Sequence, residues 1–417
     1  MSWIERATAG VRRPGWLLFA CALTVRLLIF LAWRNRALSG NSPEILSVVE
    51  GLLHGRGFVD ATTGEPMSAC GPGYPLFLAL IQTAFGTGIW KAQLLQCVMD
   101  AATATLVWRI GMRLLSQPVG LVAGLLYAFH PIVLNYTTNI IPEGLFTFCL
   151  AGAALSLLIA QQRDRAIYFV SAGVMLGVAT LCRGTTLLFP AFAGTWLLYC
   201  FPWRRAILVT VIYTIAFGAV VGIWTVRNWQ VFGGVIPVTA TSNKMLWIGS
   251  DVRMCLTDRK GEEKAMAENL REWNNRGLPP PQNNNPVAWE KHYKKMALAN
   301  YRKLLQESPW QLIPRYLKKA ARVWYATEDA PAKNRYLALM QFPLLLLAGI
   351  GACNLWRRGF RVALWFSLGF VVYFFGLHVL LHPLVRYLEP CMIFLFLLAV
   401  GAFPKLLNRD SQDPAAT

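Results

Sequence analysis

Charge is scarce in this chain: Asp, Glu, Lys and Arg make up 15% of its 417 residues, against about 25% in soluble domains. That excludes an ordinary water-soluble globule. Acids are the scarcer sign, 21 against 40 Lys and Arg. Histidine is almost absent, five in all, with no His pair on a helix face, no CxxC and no two cysteines at metal-ligand spacing, so no metal site is expected. There is neither a phosphate-binding GxxxxGK loop nor a dinucleotide glycine pattern, so no nucleotide cofactor is expected either. The polar stretch 34–89 has no second copy, which speaks against a transporter built from repeats. Of nine cysteines, Cys21, Cys97, Cys149, Cys200, Cys353 and Cys391 fall in apolar runs and read as small buried hydrophobes.

What the chain has in abundance is apolar length. Hydrophobic residues make up 55% of it, in runs at 16–33, 73–88, 90–112, 118–136, 140–160, 166–182, 185–200, 206–226, 336–354, 361–380 and 384–404, so it is read as membrane-embedded. The N-terminal basic flank and the first run lack a small-residue cleavage site and read as a retained span. Charge decides the threading. If 73–88 does not cross, the N-terminal tail, the loops 109–118, 161–165, 201–205 and 354–361, and the C-terminal tail share one side. That side then carries 14 Lys and Arg against 4 acids, the bias expected of a cytoplasmic face. The apolar part of 73–88 is also too short to span. The expected fold is therefore an all-α polytopic membrane protein with ten transmembrane helices and both termini cytoplasmic. The +19 net charge follows from this distribution and does not point to nucleic acid.

The expected organisation is a membrane domain over 1–226 with a first outer loop at 34–89, an extracytoplasmic domain at 227–335, membrane helices at 336–404 and a cytoplasmic tail at 405–417. The long segment opens on VRNWQVFGGVIPVTATSNKMLWIGSD, turn-rich and strand-prone. GEEKAMAENLREWNNRG and AWEKHYKKMALANYRKLLQESP follow and read as amphipathic helices. WQLIPRYLKKAARVWYATE is placed at the membrane interface as a lead into the next span.

On the outer side the polar groups are few and unusual. Glu44 and Glu50 lie on a short surface helix whose Ile45, Val48, Val49, Leu52 and Leu53 are expected on the bilayer. Glu143 follows Pro142 at the start of a span, where an acid is costly unless it faces a cavity. Asp100 is mid-span and is expected to pair with Arg26. Arg183 interrupts an apolar hairpin, and Arg386 opens the last run with His382 and Tyr387 beside it. Isolated arginines at the outer ends of apolar helices need a partner, so Arg183 and Arg386 are expected to meet. A lipid phosphate suits their forked donors. Arg227 and Asn228, at the exit of the 206–226 run, are further candidates.

These pieces in their order, NSPEILSVVEGLLHGRGF with GPGYPLFLALIQTAFG, then NYTTNIIPEGLFTF, ATLCRG, VRNW with NKMLWIGSD, and HPLVRYLEP, resemble the GT-C superfamily of multi-spanning glycosyltransferases. That superfamily includes the protein O-mannosyltransferases and the lipid A aminoarabinose transferases. The resemblance covers most of 16–404. It implies a polyprenyl-phosphate sugar donor, inverting transfer to a glycolipid, polysaccharide or protein hydroxyl, an acid of the first outer loop near the reacting centre, and membrane lipids as surroundings. It also implies a bacterial inner-membrane location with the site facing outward. Glu44 and Glu143 are the candidate catalytic residues, and Asn41, Tyr74, Arg183, Arg227, Asn228, His382, Arg386 and Tyr387 the candidate binding residues.

The sequence departs from the pattern at Asn41, where an Asp is common, and at Ile45, Cys70, Gly71 and Gly184. An Asn is no base, which leaves Glu44, Glu143 or altered chemistry. A non-catalytic partner in glycan assembly and a lipid or solute transporter are the alternatives. A bridge between Cys70 and Cys255 would tie the outer loop to the long domain. Ten crossings make a cysteine at Ser116 unreactive toward an impermeant thiol reagent applied to intact cells; labelling from outside overturns the topology.

Overall fold

The structure is a computed structural model that describes residues 3–33, 41–327 and 331–407. The start of the first outer loop, 34–40, and most of the C-terminal tail lie outside the described residues. Eighteen α-helices follow one another: α1 Trp3–Trp33, α2 Ser42–Leu53, α3 Gly73–Phe85, α4 Ile89–Leu114, α5 Gln117–Phe129, α6 Pro131–Tyr136, α7 Glu143–Arg163, α8 Ala166–Cys182, α9 Phe189–Cys200, α10 Trp203–Phe232, α11 Ser242–Ser250, α12 Val252–Cys255, α13 Arg259–Asn275, α14 Pro286–Glu307, α15 Leu312–Arg322, α16 Asn334–Arg357, α17 Arg361–Leu380 and α18 Met392–Val400. Among the described residues, β-structure is limited to one isolated bridge between Val59 and Pro66.

Among the described residues, five helical stretches are long and apolar enough to cross a membrane by length and composition: Pro14–Trp33 within α1, and α7, α10, α16 and α17. α3, α5, α8 and α9 are apolar but shorter. Several of the apolar runs read from sequence are broken. The 118–136 run stops at His130, whose extended backbone before Pro131 ends α5. The 384–404 run opens as a 3₁₀ helix, Val385–Cys391, before α18. Irregular backbone of this kind is tolerated at membrane depth where it is buried in protein or lines a cavity.

The stretch after 227, expected to be turn-rich and strand-prone, is helical up to Phe232 and again from Ser242, with an irregular link at 233–241 between them. α10 continues to Phe232 and stops at Gly233, whose φ of 69° is the left-handed cap open to glycine. The 227 boundary therefore falls inside a helix. α13 and α14 match the two amphipathic helices read from sequence, and they pack with α11 around Trp247, Met254, Cys255, Trp273 and Met296, a core separate from the main one. Cys255 in that core and Cys70 are both free thiols.

Hydrogen bonds sort the connections into two ends. At one, Arg113 reaches Gln162, Arg205 reaches Asp164, Ser116 donates to Leu406 O and Asn354 to Gly401 O. The short basic loops thus gather with the C-terminal end. At the other, Ser42 donates to Ile140 O, Arg227 to Phe58 O and Tyr373 to Thr185 O. Ser116 is buried, so the exposed Gln117 is the position to label.

Between the ends, Arg26 of α1 is fully buried. It donates through Nε to Asp100 Oδ2 at 2.6 Å, as expected. Tyr127 and Thr137 complete the carboxylate's shell at 2.6 and 2.9 Å, and Arg26 Nη1 also caps Ala128 O. Removing one partner of a buried pair costs about 3–5 kcal/mol because the other charge is stranded. Asp100→Leu is therefore expected to lower thermal stability in detergent by that amount, and Arg26→Met in the same chain to recover most of it. An additive loss in the double variant contradicts the pairing.

Candidate functional site

Five segments meet at the second end. The GPGYP turn brings α3 against the end of α8. A Cβ on Gly71 would stand 2.3 Å from Leu181 O, and one on Gly73 2.7 Å from Cys182 Sγ, so the glycines are needed for contact. Arg183, extended at the C-cap of α8, follows at that junction. Pro142 precedes α7 and leaves Glu143 as its first residue. The 3₁₀ helix 385–391 carries Arg386 and Tyr387, and is tied to α7 by Thr147 donating to Glu389 Oε2 at 2.7 Å. α11, from the second core, completes the enclosure through Ser242, Asn243, Met245 and Leu246.

Together they line a cavity of about 470 Å³. One side is charged. Glu143 is 2% exposed and its Oε1 accepts from Arg183 Nη1, with Arg386 Nε 3.8 Å from the same oxygen. Oε2 is buried and has no hydrogen-bond partner among the described residues. Both guanidinium carbons lie over the Tyr387 ring, at 4.7 and 4.9 Å, within cation–π range. His378 stacks on Tyr387 with centroids 4.9 Å apart. His382 Nε2 lies 3.3 Å from Glu262 Oε2 of α13. The other side is apolar: Leu187, Leu188, Tyr373, Leu377 and Leu381. The two guanidiniums and the carboxylate thus share one chamber with these apolar side chains.

The cavity gathers seven of the ten candidate residues: Asn41, Tyr74, Glu143, Arg183, His382, Arg386 and Tyr387. Tyr74 directs its hydroxyl to Gln96 Oε1. Three candidates fall elsewhere. Glu44 is exposed on the first turn of α2 and is not among the lining residues. Together with burial, its charge helps push the Cys70 thiol up to about 12. The face of α2 assigned to the bilayer is turned inward instead, with Ile45, Val48 and Val49 buried. Arg227 donates to Phe58 O at 3.1 Å and sits among the rings of Trp224, Phe232 and Phe58. Asn228 donates to Ile236 O and Val238 O. Both fasten loops, because α10 runs on past the point where the sequence suggested an exit. His378 also lines the cavity without having been a candidate; α17 ends at Leu380, so His378 and His382 do not form a pair on one helix face. Among the described residues no group of three or more His, Cys, Asp or Glu could hold a metal ion.

This arrangement is an all-α, polytopic, membrane-type fold. A sequence model of the family described as dolichyl-phosphate-mannose-protein mannosyltransferase matches residues 68–229. No curated protein sequence matches the chain. Among solved structures, the oligosaccharyltransferase AglB of Archaeoglobus fulgidus, in complex with an inhibitory peptide and a dolichol-phosphate, superposes with a TM-score of 0.59 at 12% identity over 97% of this chain and 51% of its own. An oligosaccharyltransferase of Archaeoglobus fulgidus tethered with an acceptor peptide gives 0.58 at 13% identity over 92% of this chain and 49% of its own. ArnT from Cupriavidus metallidurans reaches only 0.38 at 15% identity over 95% and 78%. The chain thus spans about half the length of the oligosaccharyltransferases it resembles.

If Arg227 is a loop fastener, Arg227→Lys loses the fork and much of the ring contact. Amide exchange over 54–70 is then expected to rise several-fold, with the exchange of 141–146 at the cavity unchanged. A change confined to 141–146 contradicts this placement.

Proposed function

We propose that the cavity takes the phosphate of a polyprenyl-phosphate-linked sugar and transfers that sugar, with inversion, to an acceptor hydroxyl on the extracytoplasmic face. The observation that carries this reading is the convergence of Arg183 and Arg386 on Glu143, over one aromatic ring, beside an apolar wall. A phosphate ester with a hydrocarbon tail needs both sides of such a chamber: forked donors for the anion and the Leu188, Leu377 and Leu381 side for the chain.

Glu143 is the proposed base. The acceptor hydroxyl attacks the anomeric carbon opposite the phosphate and gives its proton to the carboxylate. The bond from that carbon to the phosphate oxygen breaks, and its electron pair leaves with the phosphate, whose growing charge the two guanidiniums stabilise. Because the same arginines hold Glu143 Oε1, an arriving phosphate competes with the carboxylate for them. The base is released as the donor is seated. Asn41 and Tyr74 are proposed to contact the sugar, and His382 to hold the cavity edge through Glu262. Glu44, exposed outside the lining, is not needed as a base. Ten crossings with both termini in the cytoplasm, in a bacterial inner membrane, place this end outside, where the acceptor is a glycolipid, polysaccharide or protein.

The test is sugar transfer by the purified protein from polyprenyl-phosphate donors. Glu143→Gln is expected to lose about 10²–10⁴-fold in turnover, the usual worth of a general base, while binding polyprenyl phosphate several-fold more tightly because the competing charge is gone. Glu44→Gln is expected to keep near-normal turnover. Unimpaired transfer by Glu143→Gln overturns the base assignment, and weaker phosphate binding overturns the competition.

A further inference from the structure

α15 is the helix whose two faces differ most in character. Outward, Trp310 in the turn before it, Ile313 and Leu317 stand at a spacing of three and four residues and are 80, 71 and 65% exposed. That spacing forms one stripe along a helix. Lys318 is exposed beside the stripe. Inward, Lys319 is buried, and Val323, just past the helix end, is buried with it.

Lys319 marks where the helix sits. Its Nζ donates to Gly249 O and to Leu380 O, both at 3.0 Å. Leu380 ends α17, one of the stretches long and apolar enough to cross a membrane, and Gly249 is next to last in α11. These carbonyls belong to the last turns of two helices, which lack intrahelical donors and favour a cation. Burial pushes the Lys319 ammonium down to about 8. The junction is tight, since a Cβ on Gly249 would lie 2.2 Å from Leu381 O. α15 therefore packs at the depth where α17 ends, and α11 is seated on the same point with its other end lining the cavity. Shortly after α15 the chain enters α16, whose Tyr336, Leu339 and Leu346 are exposed in the manner of a lipid-facing span.

We propose that the outward face of α15 lies in the headgroup region of the bilayer and that, through Lys319, this lipid contact holds α11 in place as the roof of the cavity. The partner is a lipid surface because the stripe continues the apolar exposure of α16 and lies level with the end of α17. An amphipathic helix at an interface buries such a stripe to the acyl boundary and leaves its basic residues among headgroup phosphates. Transfer chemistry is not assumed, so this inference stands or falls apart from the proposed function.

The experiment uses the full chain in phosphatidylcholine–phosphatidylglycerol vesicles, with Cys21, Cys200 and Cys353, the cysteines that are not buried, replaced by serine. A fluorophore on Leu317→Cys is expected to be quenched by lipid-borne nitroxides about as well as one on Leu346→Cys of α16, and one on Lys264→Cys of α13 to be quenched by aqueous iodide instead. Leu317→Cys behaving like Lys264→Cys overturns the membrane contact. For the coupling, Ile313→Asp with Leu317→Asp is expected to raise amide exchange over 242–250 several-fold in vesicles, and Lys319→Met to do so while Leu317→Cys stays lipid-quenched. Unchanged exchange over 242–250 in both overturns the link to the roof. Leu317→Ser alone gives the same readout should the double variant fail to fold.

Discussion

A carboxylate sealed from water and surrounded by apolar side chains persists only if positive charge is brought to it. Glu143 is such a group, and its partners come from distant parts of the chain: Arg183 from the end of α8 and Arg386 from a 3₁₀ segment that interrupts the last apolar run. Much of the cavity's architecture follows from that requirement. The glycines of GPGYP admit α3 to the α8 end. The break before Val385 turns Arg386 inward, and Tyr387 offers one ring to both guanidiniums. The Arg26–Asp100 pair applies the same rule deeper in the molecule, with Tyr127 donating to Oδ1 and Thr137 to Oδ2 of the carboxylate. That second pair is enclosed by protein on every side and reads as structural, whereas the first lines a chamber.

The chamber is also a junction between two parts of the chain. Its charged side and its hydrocarbon side are contributed by the membrane helices, but its roof belongs to a second core built around Trp247 and Trp273. The two parts are joined by Lys319 to the end of α17, by His382 to Glu262, by Ala240 N to Ser68 O and by Asn285 to Phe232 O, among other contacts.

How much of this was legible beforehand depends on the kind of signal. Apolar runs and charge asymmetry gave the polytopic all-α class, and a lone charge in an apolar run announced its need for a partner, so Arg26 with Asp100 and Arg183 with Arg386 could be paired before any coordinates. What could not be read was where a helix stops. The β-branched and turn residues after Arg227 suggested an exit, yet α10 carries on to Gly233, so Arg227 and Asn228 fasten loops rather than line the cavity. Likewise the apolar stripe of α2 fits a bilayer as well as it fits α3, and only packing chooses between them; with that stripe turned inward, Glu44 faces solvent. His378 was overlooked because a histidine within an apolar run resembles a core residue until Tyr387 is seen stacked on it.

The central claim is that the pair of arginines that holds Glu143 also takes a lipid phosphate. A structure determined with a polyprenyl phosphate bound tests it most directly. The account expects phosphate oxygens within hydrogen-bond distance of both Arg183 and Arg386, the hydrocarbon chain along Leu188 and Leu377, and Glu143 released from Arg183. A phosphate bound elsewhere, or one bound here with the Arg183–Glu143 contact intact, would contradict it.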